Sequence, residues 1–413
     1  MRDPLPAYHE QLGELEGHLE EQGAIGLLYL DLGFLDSIEF DYGTTAYAEV
    51  RHRVRNLLEE QRGKDFRSGD IVALDEPGGY GLLIFLDRKR RREVPVVNAD
   101  LLAARKRLGK SLSKSLGKAA FPYLKSAPAI PVGHGMALHN PLLLPKRAIR
   151  TALDQARLIA EHERALSETD SRQRLEDVIA GRRIVTAFQP ILRMSDRSHL
   201  AVEALSRGAP GTGMEAANLL FGAAEHFDLM VELDRLCRSR ALLCSGRLPT
   251  STRLFVNTLP ASIRDPQFRG KPLIDFLDKA LLAPGRLVIE ITEKLVIENY
   301  GLFLEEMAYY TELGMSFAVD DVGSGYSGLE AISRLKPAFL KIDMSLVRNV
   351  HESAVNREMV KAIISLGHGI GAEVVAEGIE VEEEAEQLVD LGVDYGQGYL
   401  LARPEVVPDP RTA

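Results

Sequence analysis

Cysteine is scarce in this sequence: its 413 residues contain two, Cys237 and Cys244. They stand seven positions apart in a helix-like segment, about two turns, which is too far for an easy disulfide. Two reduced core thiols are expected, and with them a cytosolic, cytoplasmic address. Long apolar runs are absent as well; none reaches the roughly 18 residues that a transmembrane helix requires. The opening MRDPLPAYHE has no basic stretch leading into an apolar core, so no secretory signal is expected. Positive charge is in deficit, with 50 Lys and Arg against 60 Asp and Glu and a net charge of −10. That balance disfavours a binder of nucleic acid polymers, because affinity for phosphates needs clustered cations. Cys/His sets with zinc spacing are missing too.

What is present is a globular composition, 45% hydrophobic and 27% charged, in a chain too long for one ordinary core. Two domains are expected. The charge deficit has one local exception: Arg88-Lys89-Arg90-Arg91-Arg92, then Arg105, Lys106, Arg107, Lys110, Lys114 and Lys118. The second group lies on an amphipathic helix marked by Leu108, Leu112 and Leu116. It reads as a solvated face or as a contact for an anionic partner or membrane surface.

Residues 1–144 mix helical patterns with strand-like runs at 26–31, 70–74, 81–86 and 129–137, which predicts an α+β domain. From 145 to 180 the sequence is polar and proline-free after Pro145, with Ile149, Leu153, Ala156, Ile159 and Ala160 as an apolar stripe. A helical connector is expected there; its stripe can pack on either domain or on a second chain. From 181 to 405 strand candidates fall at 185–189, 200–205, 253–258, 286–292, 316–321, 338–343, 372–377 and 395–400, with helical patterns between most of them. The fold class is therefore α/β, with a modified (β/α)8 TIM barrel as the C-terminal domain. The first two strands are separated by too few residues for a crossover, so they should form an antiparallel hairpin. Residues 406–413 read as a tail.

Seven of these runs deliver a polar residue at a matching point: Glu203, Asn257, Glu290, Asp320-Asp321, Lys341, Glu377 and Gln397. In a β/α barrel such strand ends line the active site. Taken singly, each acid reads more simply as a solvated loop carboxylate or a helix cap. Together they supply hard oxygen donors, which suit Mg²⁺ or Mn²⁺. The adjacent Asp320 and Asp321 fit a shared site for two ions, which activates water for an in-line phosphoryl displacement. Lys341 would orient the nucleophilic water. After the Asp pair, Gly323-Ser324-Gly325-Tyr326-Ser327-Gly328 reads as a tight active-site loop.

Glu203-Ala204-Leu205-Ser206-Arg207 resembles the signature of EAL-domain phosphodiesterases, which hydrolyse cyclic di-GMP. Gln189-Pro190-Ile191, Val256-Asn257, Glu290-Ile291-Thr292-Glu293, Asp320-Asp321, Lys341-Ile342-Asp343, Glu377-Gly378-Ile379-Glu380 and Gln397-Gly398-Tyr399 are similar to that family's further motifs, in the same order. The resemblance implies that Glu203, Asn257, Glu290 and Asp320 hold one metal, with Asp321 and Glu377 at a second. It gives Lys341, Asp321 and Glu377 the catalytic work and Gln189, Arg207 and Gln397 the substrate contacts. Glu293 would hold the glycine-rich loop, with Glu380 and Asp343 supporting the centre from behind. It also implies a linear pGpG product, no covalent intermediate and a homodimer through the barrels. Two departures stand out: Val322 replaces the usual Phe, and Gly208–Met214 lacks the proline-aromatic pattern. They keep open a silent cyclic di-GMP receptor or signalling scaffold.

The N-terminal domain resembles a degenerate GGDEF domain, the diguanylate cyclase fold. Leu30-Asp31-Leu32 and Val132-Gly133-His134-Gly135-Met136-Ala137 carry that likeness. At the signature hairpin, Gly78-Gly79-Tyr80-Gly81-Leu82, Tyr80 and Gly81 replace two acids, and Asp36 and Glu39 stand where the family has Lys and Asn. The expectation is a regulatory domain without cyclase activity, open to an unidentified protein partner.

Overall fold

The computed structural model describes residues 5–60, 67, 69–76, 79–86, 97–121, 123–124, 130–292, 300–323, 332 and 335–407. The basic run Arg88–Arg92, Glu293 and the loop residues Ser324–Gly328 lie outside them. Two compact units divide at Arg172 and Gln173. No helix among the described residues is long and apolar enough to cross a membrane.

The first unit is a four-stranded antiparallel sheet of β1 (Ala24–Asp31), β2 (Ile71–Leu74), β3 (Gly81–Leu86) and β4 (Val132–Leu138), in the order β2-β3-β1-β4. Alternation along β1 gives the sheet two apolar faces. Leu28 and Leu30 enter a core with α2 (Phe34–Glu60) and α3 (Asn98–Ala120). Ile25 and Leu27 meet α1 (Leu12–Gln22) and α4 (Pro145–Ala180) on the other face.

The connector expected at 145–180 is this single helix, and its stripe chooses the sheet: Ile149, Ala152, Leu153 and Ala156 are buried there. Gly133 and Gly135 make that docking possible. A Cβ added at either would lie 1.7 Å from Ala156 O or 1.9 Å from Ala152 O, so the helix backbone rests on the strand backbone. Residues 145–172 thus belong to the first unit, while Leu175 and Val178 are buried in the second.

The second unit is a closed barrel of β5 (Ile184–Arg193), β6 (His199–Gly208), β7 (Arg253–Asn257), β8 (Leu287–Thr292), β9 (Ser316–Val322), β10 (Phe339–Ile342), β11 (Glu373–Ala376) and β12 (Tyr395–Gly396). Neighbours from β6 to β12 are parallel, whereas β5 runs antiparallel to both β6 and β12. Crossover helices include α5 (Ala217–His226), α6 (Met230–Cys244) and α7 (Gly270–Lys279). A further strand, β13 (Glu405–Val407), pairs with β5, so Val406 and Val407 are not tail. The free edge left on β5 below its contact with β12 explains this addition. Neither cysteine is in a disulfide; Cys244 is buried and Cys237 half-buried.

Candidate active site

Side chains that alternate along a strand place every second residue inside the barrel. One interior layer is apolar: Ile191, Ala201, Phe255, Val288, Ala318, Phe339, Val375 and Tyr395, all buried. Two residues beyond each of these, the chain presents Glu203, Asn257, Glu290, Asp320, Lys341, Glu377 and Gln397. On β5, which runs the other way, the step is backwards, from Ile191 to Gln189. A dry plug therefore carries a ring of polar groups directly above it.

Lys341 occupies the middle of the ring with no exposed side-chain surface. Its Nζ lies 2.5 Å from Glu377 Oε1, 2.6 Å from Glu290 Oε1, 3.3 Å from Asp320 Oδ1 and 3.5 Å from Glu203 Oε2. Burial pulls its pKa down, but Asp320, Glu203, Glu290 and Glu377 together push it well above its ordinary value. The ammonium is a fixed charge. Burial pushes the Glu290 carboxyl well above the carboxylate range, with Lys341 pulling it back. Asp320 is raised for the same reason. Glu377 is pushed up to about 8, chiefly by burial, and Asp321 to about 6 by burial and then Asp320.

Adjacent residues of a strand should face opposite ways, yet Asp320 and Asp321 share this site. β9 bulges against β10, where Leu340 pairs with Val319 and Ile342 with Val322, and Asp321 takes a left-handed φ of 58°. The bulge turns the second carboxylate inward. Asp320, Asp321 and Glu377 then offer oxygens within 4.8 Å of one another. The charges do not balance. With all five ionised, Glu203, Glu290, Asp320, Asp321 and Glu377 would face one ammonium with four negative charges in excess, which two divalent cations would cancel. Among the described residues, neither oxygen of the wholly buried Glu290 has a hydrogen-bond partner of good geometry. An all-oxygen donor set with orphaned buried carboxylate oxygens fits hard divalent cations.

The amides are already committed. Asn257 Nδ2 donates to Glu203 Oε1 at 2.9 Å, and Gln397 Nε2 donates to Glu203 Oε2 at 2.7 Å and Gln189 Oε1 at 3.0 Å. Gln189 donates in turn to Ala402 O at 3.1 Å. Gln189 and Gln397, expected as substrate contacts, here fix the orientation of Glu203. Arg207 lines a cavity of about 320 Å³ that opens beside Asn257 and Glu290. Asp343 caps the short helix Met344–Val347 by accepting from Ser345 N at 2.9 Å. Glu380, expected to support the centre from behind, is exposed and ion-paired to Arg348 at 2.6 Å. The glutamate that braces this loop is the buried Glu384, which accepts from Glu380 N at 2.9 Å and Asn349 N at 3.0 Å. Asp234 and Arg238 were also not anticipated. They line the same cavity, Arg238 Nε donating to Asp234 Oδ2 at 2.8 Å, and Asp234 Oδ1 accepts from Leu259 N just beyond Asn257. An i,i+4 acid–base pair inside an apolar stripe was the signal. Burial pushes the neighbouring Cys237 thiol up to about 12, so it is no nucleophile.

The first unit has its own crevice of about 410 Å³ between Asp31, Asp75, Tyr80, Arg157 and Arg164. Part of its charge is paired internally. Arg164 Nη1 reaches Asp31 Oδ2 at 3.1 Å, Arg157 is ion-paired with Asp75, and Tyr80 donates to Asp36 at 3.0 Å and Glu39 at 3.2 Å. At Gly81 a Cβ would meet the Tyr29 ring at 2.7 Å.

Comparison with known proteins gives a match between residues 172–404 and the family model described as EAL domain. The bifunctional diguanylate cyclase/cyclic di-GMP phosphodiesterase MucR of Pseudomonas aeruginosa is 25% identical over 94% of this chain and 56% of its own length. The cyclic di-GMP phosphodiesterase NbdA of the same organism is 27% identical over 92% of this chain and 48% of its own. The chain thus spans about half the length of these curated relatives. A solved structure, the PaMucR phosphodiesterase in complex with c-di-GMP, superposes with a TM-score of 0.50 at 27% identity, over 58% of this chain and all of that one.

Proposed function

This chain belongs to the EAL-domain family, and from that premise we propose that its barrel hydrolyses cyclic di-GMP to linear pGpG with two Mg²⁺ or Mn²⁺ ions. The observation that carries the reading is the ring itself: five carboxylates and Asn257 around one buried lysine, above a dry apolar plug. A dianionic dinucleotide would be repelled by that ring alone, so the net charge of the site calls for cations before substrate. Glu203, Asn257, Glu290 and Asp320 would hold one, and Asp321 and Glu377 the other. When bound, such ions lower the pKa of water and neutralise charge developing on phosphoryl oxygens.

The chain's own groups supply the rest. Gln397 and Asn257 hold Glu203 in one orientation, so the ring is set before substrate arrives. Arg207, at the cavity wall, takes a phosphate in its planar fork. Lys341 stays protonated among its carboxylates and donates to the attacking water rather than accepting from it. Asp321 and Glu377, on the open side of the ring, take the water's proton. The cavity beside Arg207 and Asp234 receives a guanine base. Val322 is buried, and Gly208–Met214 forms a turn closed by Gly208 N to Met214 O at 3.1 Å. Both departures from the family pattern are accommodated without displacing a ligand.

The first unit we assign as a catalytically silent, GGDEF-like regulatory domain. Asp75 and Asp31 are ion-paired with Arg157 and Arg164, and Tyr80 occupies Asp36 and Glu39, which supports a crevice without free ligands for a metal at Asp31. A homodimer through the barrels and a cytoplasmic location complete the reading. Purified chain incubated with cyclic di-GMP and Mg²⁺ should yield pGpG; tight binding without product would make it a receptor instead.

A further inference from the structure

Five leucines gather at one end of the first unit with their side chains in solvent. Leu142 is 89% exposed, Leu138 58%, Leu144 55%, Leu143 51% and Leu102 49%. The packing registers bring them together. β4 ends at Leu138, opposite Ala24 of β1. α4 runs back along β4, with Ala152 at Gly135 and Ala156 at Gly133, so its first turns start at that end. α3 also runs back: Gly109 lies against Val132 and Arg105 faces His134, which sets Leu102 level with the end of the strand. The turn between β4 and α4 is built from within. Asn140 Oδ1 accepts from Leu142 N at 2.9 Å, and Arg147 N donates to Leu144 O at 2.9 Å. Its hydrogen bonds point inward and its leucines outward, the reverse of what a solvated turn requires.

Cations frame the leucines. Lys146, Arg147 and Arg150 on α4 and Lys106 on α3 are exposed. Glu20 and Glu21, at the end of α1, and Asp100, at the start of α3, border this end. Between Asp100 and Asp154 the chain has 53 residues without one acid, although its average density of 60 acids in 413 residues would place about eight there. Protruding apolar groups beside exposed cations match a bilayer, which offers an anionic layer above an apolar one.

We propose that this end of the first unit docks on an anionic phospholipid surface, with Leu142, Leu143 and Leu144 entering the headgroup region and Lys146, Arg147 and Arg150 pairing with lipid phosphates. The test is co-sedimentation of the full chain with vesicles of phosphatidylcholine alone or with about 30% phosphatidylglycerol. Binding should need the anionic lipid and weaken as salt rises. Lys146→Gln, Arg147→Gln and Arg150→Gln together should weaken it by about a hundredfold, at roughly fivefold per cation. Leu142→Ser, Leu143→Ser and Leu144→Ser together should abolish stable binding, with the thermal transition of the first unit unchanged because these side chains are in solvent. Failure of the wild type to bind anionic vesicles overturns the proposal, as does binding that survives either triple substitution. A chain that ignores vesicles but self-associates through these leucines would make the end an interface between copies, and that too overturns it.

Discussion

Replacing Lys341 by methionine removes the ammonium that sits within 3.5 Å of four carboxylates, two of them at 2.5 and 2.6 Å. Methionine keeps the length and volume of the stem, so packing against the plug changes little. The carboxylates are left without their counter-charge, and Glu290 has no exposed surface on which to regain water. Breaking a buried pair by removing one partner costs about 3–5 kcal/mol. In a barrel of this size each kcal/mol moves the melting temperature by about 2–4 °C. In EDTA, the barrel transition of Lys341→Met should therefore fall by roughly 6–20 °C in scanning calorimetry. Saturating Mg²⁺ should close most of that gap, because divalent cations take over the neutralisation, while turnover stays low. A deficit of equal size with and without Mg²⁺ would refute the reasoning. So would no deficit at all, since the ring would then be held by something other than this charge.

Three further outcomes follow from the same geometry. In EDTA, Asp321 at about 6 and Glu377 at about 8 are raised above their ordinary values, so the folded barrel keeps protons that the unfolded chain releases. Their contribution to stability is present at low pH and lost as pH rises through 8; the barrel's melting temperature should fall across pH 5 to 9 and flatten in Glu377→Gln. Gly135→Ala should lower the first unit's melting temperature by an overpacking cost of about 1–3 kcal/mol or more, because the new Cβ meets the Ala152 carbonyl of α4 at 1.9 Å. Gly13→Ala, where nothing lies within 4 Å, should be neutral or mildly stabilising. Asp234→Ala removes the acceptor for Leu259 N and one of the partners of the buried Arg238, which keeps Asp265 and Ser262 O. Its expected effect is a loss of about 1–3 kcal/mol in barrel stability and, in variants that remain folded, weaker Mn²⁺ binding measured by calorimetry.

The barrel was legible because its strands carry a double signal. Each apolar residue of the plug is followed two positions later by a polar one, as from Phe255 to Asn257 or Phe339 to Lys341, and period two is what a strand writes into sequence. The short link between Ile191 and Ala201 leaves no room for a crossover, and β5 and β6 pair antiparallel in the structure. Hydrogen bonds made at a distance were not legible. Gln189 and Gln397 lie 208 positions apart, and pattern alone does not tell an amide that touches substrate from one that orients Glu203. Glu380 and Glu384 share one turn; which of them is buried depends on how the loop after β11 meets Asn349. The stripe on α4 was visible, but its choice of the β4 face rests on two glycines whose close approach to the helix no spacing rule announces. β13 escaped notice because three residues are too few for a periodic signal.

The most direct test of the account is chromatographic detection of pGpG from cyclic di-GMP by wild type and Glu203→Ala, each with Mg²⁺ and with EDTA. Wild type with Mg²⁺ should form pGpG and the other three reactions should not, while both proteins remain folded. Product from Glu203→Ala at the wild-type rate, or from wild type in EDTA, would contradict the assignment of the carboxylate ring as a catalytic metal site.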